Sequence, residues 1–167
     1  MENSTEINSV RDYLKWQYEA MMHFHKDKST GREDWKYQMI EEFVLSEGQN
    51  FKPATLPEGV ERGTIKECFC NALLLVLDSD DDLIYCEGYA DGSVIPVHHA
   101  WCVTRDGVVI DPTWRNLGAE YVGVPFKVEW VREAVFKRGS YGIIDNWENE
   151  WPLLKGLNHK EYTEELL

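Results

Sequence analysis

Val97-His98-His99-Ala100-Trp101-Cys102-Val103-Thr104 runs into Arg105-Asp106-Gly107 and then Val108-Val109-Ile110-Asp111-Pro112-Thr113. Two β-rich runs around a glycine-containing loop predict an antiparallel hairpin. Side chains alternate across a strand, so His99 shares a row with Val97, Trp101 and Val103, and His98 goes with Ala100, Cys102 and Thr104. The His99 row reads as core-facing, and a half-buried histidine there needs a hydrogen-bond partner. Asp111 meets that need in one register only. A two-residue turn at Asp106-Gly107 sets Trp101 opposite Pro112 and faces Asp111 away from His99. A three-residue loop with Gly107 left-handed sets Asp111 opposite Trp101, on the His99 face and diagonal to it. We expect the three-residue loop.

Upstream lies Gly63-Thr64-Ile65-Lys66-Glu67-Cys68. Thr64 and Glu67 have the spacing of a capping box, with Thr64 as N-cap, which predicts a buried helix over 65–77 with Cys68 in its first turn. Free N–H groups and the helix dipole there favour an anion, so a lowered thiol pKa is expected. A thiol with a histidine and an aspartate downstream has the parts of acyl-transfer chemistry.

Working outward, helical stripes predict helices over 5–25 (Ile7, Val10, Leu14, Tyr18, Met21, Met22) and 33–46 (Trp35, Met39, Ile40, Phe43, Val44). His23 and His25 are expected to complement the first helix's dipole. Residues 49–63 read as loop. The acidic run 78–82 is a solvated turn, since calcium-loop spacing would put Leu83 and Tyr89 where Gly and Glu are required. Strands are expected over 83–89, 97–104, 108–111 and 121–124, a helix over 126–138 closed by Gly139, an irregular stretch with Trp147, Trp151 and Pro152, and a short helix over 160–167. Helices first and strands later predict one α+β domain with an antiparallel sheet packed on the cysteine-bearing helix. Within it, 1–62 forms a helical part, 63–125 the core and 126–167 a tail.

The chain has 167 residues, 43% hydrophobic, with 30 acidic and 17 basic residues and a net charge of −13. Such a balance argues against nucleic acid as a partner and leaves cationic proteins open. No apolar run is long enough for a membrane span. The N-terminus shows no signal-peptide pattern, and four cysteines without one suggest reduced thiols in a cytoplasm.

Cys68-x-x-x-Ala72, Glu87-Gly88-Tyr89, His99-Ala100-Trp101 and Asp111-Pro112-Thr113 follow the order of the transglutaminase-like superfamily core, which these residues resemble over about 60–125. The string from Cys68 through Tyr121-Val122-Gly123-Val124-Pro125 is also similar to small bacterial and phage proteins. The resemblance implies a papain-related fold with Cys68 as nucleophile, His99 as base and Asp111 as orienting acid. It implies no cofactor, and a peptide, protein or small amide as substrate. It departs from the superfamily in the crowded Cys68-x-Cys70. Superfamily members range from transglutaminases, proteases and deamidases to inactive scaffolds, so the fold leaves the reaction open.

Each reading has a competitor. Cys68 competes with a buried structural thiol. A zinc site from Cys68, Cys70, His98 and His99 lacks the spacing of zinc modules, and Cys70 lies roughly 200° around the helix from Cys68. Cys70 is expected in the core with Leu73, Leu74 and Leu77, and Cys86 and Cys102 in the core through their strands. Trp101 and Trp114 are candidate walls of a substrate cleft. Glu87 either lines the site or pairs with a lysine or arginine. The alternative function is a non-catalytic acidic binding or inhibitor protein, of phage type, on the same scaffold.

Overall fold

A computed structural model describes residues 6–80, 82–92 and 94–167. The expectations for the N-terminal residues 1–5 and for Asp81 of the acidic run lie outside the described residues. In chain order the elements are α1 (Val10–Phe24), α2 (Ile40–Glu47), β1 (Gln49–Phe51), α3 (Cys68–Leu77), β2 (Leu83–Asp91), β3 (Pro96–Thr104), β4 (Val109–Ile110), β5 (Glu120–Phe126) and α4 (Val128–Arg138). A 3-10 turn (Trp147–Asn149) and two short helices, α5 (Pro152–Lys155) and α6 (His159–Tyr162), complete an α+β fold. The loop after β3 is the three-residue one. Thr104 N–H bonds Val108 O, Gly107 has φ 78°, and Cys102 pairs with Ile110.

The five antiparallel strands lie in the order β1-β5-β2-β3-β4. Their curl brings the two edges together at Lys52, which follows β1. Its N–H bonds Gly107 O and its carbonyl accepts from Val109 N–H. The half-barrel therefore buries both sheet faces, and almost all of β2 is buried. This revises the expectation of one core-facing row. The concave face holds Phe51, Ile84, Cys86, Trp101, Val103, Val109 and Tyr121. The convex face holds Tyr85, Tyr89, Ala100, Cys102, Val122 and Val124 against Ala72, Leu73 and Val76 of α3 and Phe43 and Val44 of α2. Each buried aromatic or branched side chain contributes about 1.5–3 kcal/mol. Gly88 faces Gly123 across β2 and β5. A Cβ on Gly123 would come within 2.7 Å of the Trp101 ring, so the indole lies against bare backbone.

Three further expectations shift. β1 lies in the stretch 49–63 expected as loop. Its three residues are too few to show a period, and its pairing with β5 is a tertiary event that joins the N-terminal part to the sheet. On the first helix only Val10 and Leu14 are buried; Met21 and Met22 are exposed, because α1 extends past the body it packs on. The second helix begins at Ile40, after Trp35 and Met39. Glu120 anchors the start of α1 by accepting from Val10 N–H at 2.7 Å.

Candidate active site

Helix α3 begins at Cys68, not at Ile65. The capping box does not form. Glu67 is the N-cap, without a side-chain cap bond, and the chain turns through a left-handed Lys66 (φ 69°) just before it. Asn71, three residues after Cys68, instead holds the loop in front of the helix. Its Oδ1 accepts from Thr64 N–H at 3.1 Å, and its Nδ2 donates to Thr64 O at 2.7 Å and to Thr113 Oγ1 at 3.0 Å. Gly63 N–H bonds Pro112 O at 2.8 Å. A Cβ on Gly63 would overlap the Asn71 carboxamide, so glycine is required there. Asn71 thus ties the Cys68 helix and the loop before it to Asp111-Pro112-Thr113.

His99 Nε2 donates to Asp111 Oδ2 at 2.8 Å, and both residues are buried. Asp111 also accepts from Tyr121 Oη at 3.0 Å, Thr113 N–H at 2.9 Å and Trp114 N–H at 3.2 Å. Burial alone would raise its pKa. The bond and charge of His99, with the two backbone N–H groups, overcome that and hold the carboxyl below its ordinary range. Among the described residues His99 Nδ1 carries no hydrogen bond.

Cys68 and His99 approach this corner from opposite faces of the sheet. α3 packs on the convex face, where Cys102 Sγ contacts Ala72 O at 3.2 Å, whereas His99 is in the concave row. Both border the cleft described below, Cys68 in its lining and His99 behind its Trp114 wall, and β4 ends at Ile110. Thr104 N–H points toward β4, so the N–H of Ala100, in phase with it, points to the edge left open beyond β4. That N–H favours the Cys68 thiolate, as does Phe69 N–H. Both are outweighed, first by burial and then by the charges of Glu87 and Asp111, and the thiol pKa is pushed up to about 11. The expected lowered pKa is therefore reversed, since a single helix terminus does not offset a buried sulfur near two carboxylates. Among the described residues no hydrogen bond joins Cys68 to His99.

Cys68 opens onto a cleft of about 530 Å3 lined by Ile65, Lys66, Val94, Ile95, Val97, Thr113, Trp114 and Arg115, among others. Trp114 forms part of its wall. Trp101 does not; it is wholly buried in the half-barrel, with no partner for its Nε1 among the described residues. Glu87 is not in the lining either. Fully buried, it accepts from Tyr85 Oη (2.8 Å) and from the backbone N–H of Ile143 (2.9 Å) and Ile144 (2.9 Å). Its ionic partner is His98, with Nε2 at 3.0 Å, rather than a lysine or arginine. Although burial opposes it, these bonds keep the Glu87 carboxyl below its usual range. Cys86 and Cys102 are buried as expected, but Cys70 is half-buried beside the Tyr141 hydroxyl, and Leu74 and Leu77 are exposed.

Sequence reasoning missed Asn71, Tyr121 and Lys66. Asn71 carried a signal, an amide three residues from Cys68 and so on the same helix face. Among the described residues no cluster of three or more His, Cys, Asp or Glu is arranged to hold a metal, and no helix is long and apolar enough to cross a membrane. No family model, curated protein or solved structure matches the chain.

Proposed function

We propose that this protein is a cysteine-dependent hydrolase or acyl transferase acting on an amide-type bond. The observation that carries the reading is the His99 Nε2–Asp111 Oδ2 bond, set at the strand edge where the Ala100 N–H meets the Cys68 sulfur. Asp111 holds the proton on Nε2, which leaves Nδ1 as the basic nitrogen. Because the thiol rests protonated, attack and proton transfer are concerted: Nδ1 takes the Sγ proton as Sγ bonds the carbonyl carbon. The Cys68 N–H, at the helix N-terminus, is the oxyanion donor. The imidazolium then protonates the leaving amine as the C–N bond breaks, and water or a second amine resolves the thioester. Transglutaminase-like ancestry, cytoplasmic location and the absence of a nucleic-acid partner belong to the same proposal.

The test is intact-mass and peptide mapping after exposure to a panel of acyl amides and activated esters. An acyl adduct on Cys68, absent in His99→Ala, is expected. A panel that labels only Cys70, or leaves Cys68 unmodified, sinks the reading.

The second reading, an acidic non-catalytic binding protein of inhibitor type, is favoured by the neutral thiol and by the lack of a Cys68–His99 hydrogen bond among the described residues. A charge-driven complex with a cationic protein weakens steeply with salt, whereas turnover of a neutral amide does not.

A further inference from the structure

We infer that the cleft beside Cys68 selects an acyl donor carrying a carboxylate next to an aliphatic side chain. The inference rests on the thiol acyl-transfer reading and names its substrate class. Two features of the lining carry it. Ile65, Val94, Ile95 and Val97 form an aliphatic surface that is open to solvent, with Ile65 63% and Val94 87% exposed. Isolated exposed aliphatics are ordinary, but four around one concavity that also holds a thiol make a ligand surface.

The second feature is charge. The protein carries 30 acidic and 17 basic residues, yet among the described residues of this lining the charged ones are Lys66 and Arg115, with no aspartate or glutamate. Among the described residues neither forms an ion pair, so both are available to a ligand. Glu67, between Lys66 and Cys68 in sequence, is exposed but outside the lining. Lys66 reaches its place through a left-handed backbone, which is disfavoured for a residue with a Cβ. Arg62 fixes the other side by donating to the Trp114 and Arg115 carbonyls. At physiological salt the repulsion of acidic groups beyond about 8 Å is screened. Glu87 and Asp111, whose charges reach Cys68, lie behind the lining and are each hydrogen-bonded to a histidine, which leaves Lys66 and Arg115 as the charges at the cleft surface.

The carboxylate has two possible sources, an acidic side chain or a free peptide C-terminus. Binding to the Cys68→Ala protein, read by calorimetry, separates them. The probes are acetylated, amide-capped peptides with leucine followed by glutamate, glutamine or lysine, and the leucine-glutamine peptide with a free C-terminus. One or both acidic probes bind about threefold to tenfold more tightly than the capped glutamine peptide, and the lysine peptide binds most weakly. In Lys66→Ser/Arg115→Ser the advantage disappears. Equal binding of capped glutamine and both acids, or binding by none, overturns the inference. Acid-selective binding without an acyl adduct on Cys68 in the unsubstituted protein supports the cleft's preference and removes the thiol reading. Acylation of Cys68 by neutral and acidic donors alike does the reverse.

Discussion

The Trp114 indole lies on the face of the His99 imidazole, with ring centroids 4.1 Å apart and planes 16° from parallel. Trp114 therefore belongs both to the cleft and to the surroundings of the base of the proposed triad. Gly92 makes room for it, since a Cβ there would come within 2.9 Å of the indole edge. Stacking keeps water from the imidazole and fixes its plane. Trp114→Ala is expected to speed exchange of the His99 ring Cε1 proton, followed by mass spectrometry, and to slow Cys68 acylation about tenfold. Trp114→Phe should retain most of both properties.

The thiol gives a prediction of unusual direction for a proposed nucleophile. With a pKa near 11, Cys68 is expected to alkylate slowly at neutral pH and faster as pH rises toward that value. Folding responds with a definite sign. The unfolded thiol ionises near pH 8.5 and the folded one later, so stability falls as pH rises between the two. Peptide-resolved alkylation against pH checks the first statement. A rapid, low-pH titration of Cys68 would show that burial and the nearby carboxylates do not control it.

Asp111→Asn preserves shape but no longer holds the proton on His99 Nε2. Acylation is expected to fall by roughly 10²-fold or more, with the thiol still alkylatable by small reagents. Rates within twofold of the unsubstituted protein would contradict the orienting role.

Glu87 anchors Ile143 and Ile144 from the opposite side of the sheet to His99. Glu87→Ala leaves two buried N–H groups and Tyr85 Oη unpaired, at a cost of about 3 kcal/mol in denaturant unfolding. Amide exchange at 143–144 should rise, and Glu87→Gln should cost less. Both Glu87 and Asp111 have depressed pKa values when folded. Their stabilisation is thus complete above the unfolded carboxylate range, about pH 4, and is lost as pH falls through the lower folded values. Glu87→Gln should flatten that acid slope.

Asn71→Ala removes three hydrogen bonds that join α3, the loop at Thr64 and Thr113. A loss of about 2–3 kcal/mol is expected. Acylation should drop with it, because the loop preceding Cys68 is released. A stability change without a rate change would assign Asn71 to the scaffold alone.

By itself the sequence determined that a hairpin turns at Arg105-Asp106-Gly107 and narrowed its register to two, of which the three-residue loop with a left-handed Gly107 forms and sets Asp111 in the His99 row. It also determined most strands and the Gly139 stop of α4, whose signals are local in the chain. The protonation of Cys68, the burial of Glu87 and Trp101, the role of Asn71 and the strand β1 were decided by tertiary structure alone. Each depends on groups far apart in sequence, and the desolvation and charge that set a thiol's pKa exist only once the half-barrel has closed and α3 has docked against it.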